Sequence, residues 1–398
     1  MENKMVLVTM TGPDKPGIIA AITREVAVAG ARIRDIEQTV THTLLSVSLL
    51  IDFPTGESSQ KPLIKDLLFL AKELGLDLDF QVISEADYRR RSTRNAFVLT
   101  ILGGEINAAA LAQVTAILAE HHINIERISK LTQGNLRCVE LLINMPPGLE
   151  VRPVKRQLLT AGSQLGVDVA MQREGLYRRA KRLIVMDMDS TLIQIEVIDE
   201  LAALAGVGEQ VAEITARAMN GELDFQGALR ERVQLLKGLS ASALEEVYKN
   251  LPFTPGAKTL VQVLKRLGFK TAVISGGFTF FTDRLCRDLG LDYGFANELE
   301  IVDGQVSGQV NGTIVDGARK AVLLEEIARR EGISLDQVIA IGDGANDLPM
   351  LGKAGLGIAF NAKARVREQA DTHINQKSLD AILYLLGLSE WDLEEIGA

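Results

Sequence analysis

The chain is poor in cysteine, with only Cys138 and Cys286 among its 398 residues. The two cysteines lie in different predicted domains, and neither stands in the spacing of a metal site. A disulfide framework and a cysteine metal site are therefore not expected, and two buried thiols in a reducing cytoplasm are the better interpretation.

Long apolar runs and an excess of positive charge are missing as well. No segment reaches the roughly 18 apolar residues of a membrane-spanning helix, and the start MENKMVLVTM lacks the apolar core of a signal peptide. A formal net charge of −9 argues against nucleic acid or an anionic membrane as a general partner. We therefore expect a cytoplasmic protein with no nucleic-acid partner and no membrane partner.

What the chain does have is an ordinary globular composition, 47% hydrophobic and 24% charged. Its length of 398 residues is more than one ordinary domain needs, so two or three separate cores are predicted.

Three apolar segments each end in polar residues that can carry chemistry. They are RLIVMDMDST (Arg182 to Thr191), TAVISGG (Thr271 to Gly277) and VIAIGDGANDLPML (Val338 to Leu351). Apolar strands alternating with helical stretches predict a parallel sheet, which collects functional groups at the carboxyl ends of its strands. The groups expected to converge there are Asp187, Asp189, Ser275, Lys320 and Asp343.

Each of these side chains has a chemical reason to be present. A carboxylate such as Asp187 can take up a phosphoryl group and later lose it to water, and burial makes its charge costly unless a cation meets it. Asp189, two residues on, can protonate a leaving oxygen and then activate water. Asp343 suits Mg²⁺, while Lys320 and Ser275 supply donors to phosphoryl oxygens. Any one segment alone is usually a turn or a loop, but the three in this order favour a magnesium and phosphate site.

The order DMDST, SGG, lysine, GDGANDLPM resembles the haloacid dehalogenase superfamily of aspartyl-phosphate phosphotransferases. Residues 180–398 resemble the phosphoserine phosphatases of that superfamily more closely still. The positions that match functional residues of this family are Glu196, Met219, Phe225, Arg232, Ser275, Gly276, Gly277, Lys320, Asp343, Asn346 and Asp347. The resemblance implies a doubly wound α/β catalytic domain with a parallel sheet.

The resemblance also implies a role for each acidic residue. Asp187 would be the nucleophile and Asp189 the general acid and base. Mg²⁺ would be held by the side chains of Asp187 and Asp343 and by the backbone carbonyl of Asp189. Asn346 and Asp347 would serve the phosphate and the outer coordination sphere of the metal.

Between the first and second segments the apolar period becomes helical. We expect a helical cap over about residues 195–265, whose closure would exclude water from the pocket. The planar fork of Arg232 suits a carboxylate and Glu196 suits an ammonium, the two charged ends of an amino acid, with Met219 and Phe225 as pocket walls. A charged residue on an amphipathic helix normally faces solvent, so this assignment depends on the resemblance.

The amino-terminal part carries one pattern twice. Strand–helix–strand–strand–helix–strand runs from Val6 to Ile83 and again from Phe97 to Met171, which predicts two ferredoxin-like α+β domains. The first copy, with TGPDKPG before its first helix, resembles an ACT domain, a regulatory module that binds amino acids. Its loop around Asp14 and Gly17 offers backbone donors to a ligand carboxylate. The second copy has LGGEINA in that place and departs from the pattern.

We therefore predict ACT-type domains over residues 1–86 and 95–175 and a phosphatase domain over residues 180–398. The predicted reaction is Mg²⁺-dependent hydrolysis of O-phospho-L-serine, the last step of serine biosynthesis. Serine is the expected effector, and a homodimer or a higher homo-oligomer is the expected assembly.

Two alternatives stay open on the sequence. The enzyme could act on phosphothreonine or phosphohomoserine, because one methyl or methylene discriminates by only about 1–3 kcal/mol. The chain could instead be an amino-acid sensor with a vestigial phosphatase domain. The intact set of Asp187, Asp189, Lys320 and Asp343 counts against this second alternative.

Overall fold

The computed structural model describes residues 5–52, 60–84, 95–135, 137–370 and 372–397. The chain forms two compact units, Met1–Arg94 and Asn95–Ala398, and each is described by itself. The predicted domain boundary at residue 86 lies outside the described residues. Within the described part, none of the helices combines the length and the apolar character needed to cross a bilayer.

The first unit is a four-stranded antiparallel sheet in the order β2-β3-β1-β4, with two helices. Its elements are β1 (Met5–Pro13), α1 (Ile18–Val28), β2 (Arg32–Thr41), β3 (Leu44–Asp52), α2 (Gln60–Leu74) and β4 (Asp77–Ile83). Helix α1 buries Ile18, Ile22 and Val26, which recur every fourth residue and so share one face. The ferredoxin-like prediction for this copy is confirmed.

The second unit begins with the same plan, in the sheet order β6-β7-β5-β8. The elements are β5 (Ala96–Leu102), α3 (Ala108–Glu120), β6 (Asn124–Lys130), β7 (Cys138–Asn144), α4 (Val151–Leu165) and β8 (Asp168–Arg173). The side chain of Asn107 caps α3 by accepting from the backbone N–H of Ala110. Cys138 is buried in this part, Cys286 is partly buried in the next, and both are free thiols.

The rest of the second unit is built on a seven-stranded sheet in the order β12-β11-β10-β9-β13-β14-β15. Its strands are β9 (Leu183–Met186), β10 (Lys270–Phe278), β11 (Tyr293–Val302), β12 (Gln305–Asn311), β13 (Val338–Gly342), β14 (Leu356–Phe360) and β15 (Thr372–Ile374). Every pair is parallel except β11 and β12, which form the antiparallel hairpin at one edge. Strand β9 is central and wholly buried, as its continuous apolar sequence predicts.

The helices of this part flank the sheet or form the cap. They are α5 (Leu176–Arg179), α6 (Val197–Leu204), α7 (Gly208–Met219), α8 (Phe225–Leu235), α9 (Ala241–Lys249), α10 (Ala257–Arg266), α11 (Thr279–Leu289), α12 (Gly317–Arg330), α13 (Leu348–Leu351), α14 (Ala364–Gln369), α15 (Ile382–Leu385) and α16 (Glu390–Ile396).

The cap is shorter than the predicted 195–265. Helices α6 to α9 contact one another, and the two chain segments that join them to the sheet pair through a bridge between Ile193 and Phe253. Helix α10 contacts β10 and therefore packs on the sheet. The difference has a simple cause: α10 has the same helical apolar period as the cap helices, and a period does not identify the surface that a helix buries.

Candidate active site

The end of β9 presents Asp187, which is 5% exposed. Its backbone N–H donates to the carbonyl of Ile341 in β13 over 2.9 Å, which ties the start of the loop to the neighbouring strand. Its carboxylate accepts from the backbone N–H of Met188 over 2.7 Å. The carboxylate therefore has a defined direction at the carboxyl edge of the sheet, where the sequence places it.

Lys320 lies between two carboxylates. Its Nζ is 2.8 Å from Asp187 Oδ2 and 2.7 Å from Asp347 Oδ1, and the lysine is fully buried. Burial opposes its charge, but Asp187 and Asp347 outweigh burial and raise the pKa of Lys320 above its ordinary value. The lysine therefore carries its positive charge beside the predicted nucleophile.

Three carboxylates crowd this point: oxygens of Asp187, Asp343 and Asp347 lie within 4.8 Å of one another. Burial and the charge of Asp347 raise the pKa of Asp343 to about 7, and the same two causes raise the pKa of Asp187 well above its usual range. Three carboxylates that are held close together despite their repulsion offer only oxygen atoms as metal ligands. Such a set suits a hard divalent cation. The arrangement thus fits the predicted metal.

Asp347 is fully buried, whereas Asp187 is 5% exposed and Asp343 is partly exposed. Both oxygens of Asp347 are also engaged. Oδ1 meets Lys320 and Oδ2 accepts from the backbone N–H of Gly344 over 3.0 Å. Asp343 accepts from the hydroxyl of Thr191 over 3.0 Å. The geometry is in keeping with Asp347 lying behind the metal ligands.

Asp189 is held by one donor from the cap and one from the sheet. Its Oδ1 accepts from the backbone N–H of Val197, the first residue of α6, over 3.0 Å, and its Oδ2 accepts from Ser275 Oγ over 3.1 Å. Burial, and next the charge of Glu196, raise the pKa of Asp189 to about 7, with these two donors opposing. Both protonation states are therefore accessible near neutral pH, which acid and base work requires.

Ser275–Gly277, a loop-like irregular part of β10 where its pairing with β11 shifts register, lies beside these carboxylates. The N–H of Gly277 donates to Ser275 Oγ over 2.8 Å, and a Cβ at Gly276 would lie 2.9 Å from Cζ of Phe225. Phe225 thus packs directly on the loop from the cap side, where a pocket wall is predicted. Only a residue without a side chain allows this close approach.

A buried asparagine that the sequence does not reveal holds the same loop. Asn297 is 1% exposed and donates through Nδ2 to the carbonyls of Gly276 and Gly277, over 2.8 and 3.2 Å. Its Oδ1 accepts from Val315 N–H over 2.8 Å. Nothing in the strand sequence around Asn297 distinguishes it from a surface residue, so only the structure assigns this role.

Two threonines that support the site were also not predicted from the sequence. Thr191 is buried and donates to Asp343, while its own carbonyl accepts from the hydroxyl of Thr254 over 2.7 Å. Thr254 follows the segment that returns from the cap, so it links that segment to the loop after β9. The position of Thr191 in DMDST is the one signal that could have found it.

The cap contributes Glu196 and Arg232. Arg232 is partly buried and its Nε donates to the carbonyl of Ala228 over 3.3 Å. Burial lowers the pKa of Arg232 below its usual range, opposed by the charges of Asp199, Glu196 and then Asp189. Arg232 therefore lies within electrostatic range of Glu196 and Asp189.

Two predicted residues are less defined. Met219 ends α7 with its side chain 66% exposed, so its place in a pocket wall stays a prediction. Asn346 is partly buried in the short turn Ala345–Asp347, close to Gly344. This places it on the Asp343 side of the site.

In the first unit, Asp14 and Gly17 lie in the loop before α1. Gly17 caps the helix with a φ of 96°, a conformation that favours glycine, and Asp14 is exposed. The backbone N–H of Asp14 donates to the carbonyl of Thr43 over 2.9 Å. The loop is therefore tied to the neighbouring hairpin, and its role in binding a ligand stays a prediction.

Family comparisons agree with this architecture. The profile of the haloacid dehalogenase-like hydrolases matches residues 184–352, and two ACT domain profiles match residues 4–81 and 95–172. The prediction of such a hydrolase domain behind two ACT domains is confirmed.

Individual relatives extend the match over the chain. A phosphoserine phosphatase of Streptomyces coelicolor is 45% identical over 390 residues, which are 98% of this chain and 93% of that protein. A phosphoserine phosphatase of Streptococcus thermophilus is 52% identical over 206 residues, 52% of this chain and 96% of that protein. A crystal structure of a HAD family hydrolase from Salmonella enterica serovar Typhi shares 33% identity with a TM-score of 0.65, and covers 73% of this chain and 98% of its own.

Proposed function

Because the chain belongs to the phosphoserine phosphatase family of haloacid dehalogenase-like hydrolases, we propose that it hydrolyses O-phospho-L-serine to L-serine and phosphate. This reaction would be the last step of serine biosynthesis in the cytoplasm. The observation that carries the proposal is the meeting of Asp187, Asp189, Lys320 and Asp343 at one edge of the sheet, beneath a cap that bears Arg232. In this organisation residues 1–86 and 95–175 are the ACT domains and residues 180–398 the phosphatase domain.

The reaction would take place in two displacements. A carboxylate oxygen of Asp187 attacks phosphorus, the bond to the serine oxygen breaks, and Asp189 gives its proton to that oxygen. A water oxygen then attacks the phosphorus of the aspartyl phosphate while Asp189 takes the proton of the water, which releases phosphate and restores Asp187. The pKa of about 7 for Asp189 supports both duties.

The metal of this site would be Mg²⁺. It would be held by the carboxylates of Asp187 and Asp343 and by the backbone carbonyl of Asp189, and when bound it supplies positive charge to the phosphoryl oxygens. Lys320 donates to the same phosphoryl oxygens, because its ammonium lies 2.8 Å from the attacking carboxylate.

The remaining residues would bind the substrate. Ser275, Gly276, Gly277 and Asn346 surround the phosphate, which is supported by the position of their loops beside Asp189 and Asp343. On the cap side, Arg232 takes the substrate carboxylate in two parallel hydrogen bonds and Glu196 takes the ammonium. Phe225 and Met219 wall the apolar part between these groups.

The first ACT domain would sense the product. Serine would bind at the loop of Asp14 and Gly17, where a helix start offers backbone N–H groups to its carboxylate. A homodimer or a higher homo-oligomer is supported by β2, an edge strand whose ten residues are all exposed.

The experiment that tests the catalytic proposal compares phosphate release from three substrates. They are O-phospho-L-serine, O-phospho-L-threonine and ethyl phosphate, which has neither carboxylate nor ammonium. We expect the highest kcat/KM for phosphoserine, loss of turnover with EDTA and its return with Mg²⁺. Equal kcat/KM for phosphoserine and ethyl phosphate would contradict an amino-acid substrate, and turnover unaffected by EDTA would contradict the metal.

A further inference from the structure

Ser190, which stands between Asp189 and Thr191 in the loop after β9, has an unusual backbone conformation. Its φ is 55° and its ψ is 2°, in the left-handed region that residues with a side chain rarely adopt. Its backbone N–H donates to the carbonyl of Ile195 over 3.2 Å, so the loop of residues 190–195 closes on itself. A conformation of this kind persists where the surrounding contacts favour it, and it often marks a functional position.

The hydroxyl of Ser190 has a definite partner. Its Oγ donates to Oε1 of Glu196 over 2.7 Å. Glu196 stands at the N-cap of α6, yet its side chain makes no capping hydrogen bond to that helix. The carboxylate is instead turned across the loop toward Ser190.

This contact decides which part of Glu196 is available to a ligand. Oε1 accepts from Ser190, and Oε2 can accept from a second donor such as a ligand ammonium. The charge of Glu196 also raises the pKa of Asp189 and of Asp343 and opposes the lowering of the pKa of Arg232, so its carboxylate lies within electrostatic range of these three residues. An exposed glutamate loses rotamer freedom when it is held in one place, and a charge-assisted hydrogen bond from a neighbouring hydroxyl offsets that loss.

We propose that Ser190 is a positioning residue for substrate specificity, which holds the Glu196 carboxylate in the orientation that binds the ammonium of the substrate. The inference rests on the proposed function, in which Glu196 binds that ammonium. The left-handed turn at Ser190 aims the hydroxyl at Glu196 before the substrate arrives, so less ordering remains to be done on binding.

The test uses a pair of substrates that differ only in the ammonium. They are O-phospho-L-serine and 3-phosphooxypropanoate, which keeps the phosphate and the carboxylate. The variant is Ser190→Gly, because glycine adopts the same φ freely and removes only the hydroxymethyl group. The control is Asp303→Gly, the same kind of change at a φ of 50° in the turn between β11 and β12.

In Ser190→Gly we expect KM for phosphoserine to rise about five- to thirtyfold, with kcat within about threefold, and KM for the analogue to stay unchanged. Asp303→Gly should change neither KM. In Glu196→Gln the preference for phosphoserine over the analogue should disappear, and adding Ser190→Gly to that variant should change the preference no further.

The outcomes separate the two proposals. If Glu196→Gln abolishes the preference while Ser190→Gly leaves it intact, the role of Ser190 is wrong and the proposed function stands. Equal losses on both substrates in Ser190→Gly would assign the hydroxyl to the phosphate or the fold and would also overturn the inference. If the preference survives Glu196→Gln, the ammonium site itself is misplaced and the role of Ser190 falls with it.

Discussion

At the scale of single residues, the main feature of the site is that its carboxylates outnumber the positive charges in contact with them. Lys320 meets Asp187 and Asp347 together, while Asp343 and Asp189 have hydroxyl or backbone donors. Burial, and then a neighbouring carboxylate, raises the pKa of each of Asp187, Asp189 and Asp343. The neighbour is Asp347 for Asp187 and Asp343, and Glu196 for Asp189. A bound cation would lower all three pKa values, so metal binding and ionisation of the nucleophile are coupled.

The first prediction concerns the nucleophile. Asp187→Asn keeps the shape of the side chain, and its amide oxygen can still accept from Lys320, but the variant cannot attack phosphorus. We expect kcat for phosphoserine to fall by about three to five powers of ten, with the unfolding midpoint little changed. Asp303→Asn, the same change in an exposed turn, is the control. A folded Asp187→Asn enzyme that kept a tenth of the activity would exclude the aspartyl-phosphate route.

The second prediction concerns Arg232. Loss of one partner of a buried charge-assisted contact costs about 2–5 kcal/mol. Arg232→Ala should therefore lower kcat/KM for phosphoserine by about 30- to 5,000-fold, and should affect ethyl phosphate far less. Arg230→Ala is the matched control, because Arg230 is exposed on the same helix. Parallel losses on the two substrates would show that Arg232 supports the fold or the phosphate instead.

At the scale of secondary-structure elements, the strands that carry the chemistry could be predicted from the sequence. Strands β9 and β13 are short, continuous apolar runs and are wholly buried. Runs of this length that end in polar turn residues indicate buried strands. The carboxyl end of the cap could not be predicted, because α10 and the cap helices share one apolar period. The apolar period shows that one face of a helix is buried, but it does not show which part of the protein that face packs against.

The polar groups that hold the site together were largely hidden from sequence analysis. Asn297 and Thr254 are buried polar residues whose side-chain partners lie 18 or more positions away in the chain. A polar side chain in a sequence normally indicates the surface. Its role here depends on tertiary contacts, whereas the roles of Asp187 and Asp343 follow from the strands that precede them.

One such contact joins the cap to the sheet side. Gln226 in α8 donates through Nε2 to Asp316 Oδ2 over 2.9 Å, and Asp316 Oδ1 accepts from the N–H of Arg319 and so caps α12, the helix of Lys320. The backbone N–H of Arg319, then Gln226, lower the pKa of Asp316, so its carboxylate is charged at neutral pH. The contact is therefore a charge-assisted hydrogen bond between the cap helix α8 and the start of α12.

The third prediction replaces the attraction between Gln226 and Asp316 by repulsion. Gln226→Glu sets a second carboxylate against Asp316 and should favour an open cap, with kcat/KM lowered about three- to thirtyfold. Asp316→Asn in the same chain should restore most of the loss, since the asparagine amide can donate to the new glutamate while its oxygen still caps α12. If the double variant is no better than Gln226→Glu alone, repulsion at this contact is not the cause.

At the scale of the whole molecule, the second ACT domain and the phosphatase domain belong to one compact unit. Asp168 in β8 is buried and accepts from the N–H and side chain of Asn375 over 2.8 Å each and from Gln376 over 3.1 Å. Glu140 in β7 is paired with the buried Arg178. A chain that began near residue 176 would leave these partners without each other, so it should be less stable than one that begins at Asn95.

The fourth prediction separates regulation from catalysis by removing only the first unit. A chain of residues 95–398 keeps every residue of the candidate active site and the contacts of Asp168 and Glu140. We expect kcat for phosphoserine within about twofold of the full chain, because every residue assigned to the chemistry lies within residues 95–398. The non-competitive part of inhibition by serine should disappear, and the competitive part, from serine in the pocket of Glu196 and Arg232, should remain.

The same test can be made in the full chain with a point change. Asp14→Asn alters the loop proposed to bind serine, and Asp79→Asn changes another exposed aspartate of the first unit as the control. An effector acts only through unequal affinity for two states, so a weaker site at Asp14 should shift the inhibition curve to higher serine with kcat unchanged. Serine should also change the sedimentation coefficient if it acts through pairing of ACT domains. If residues 95–398 respond to serine just as the full chain does, the first ACT domain has no part in this control, and the inhibition comes from product in the active site.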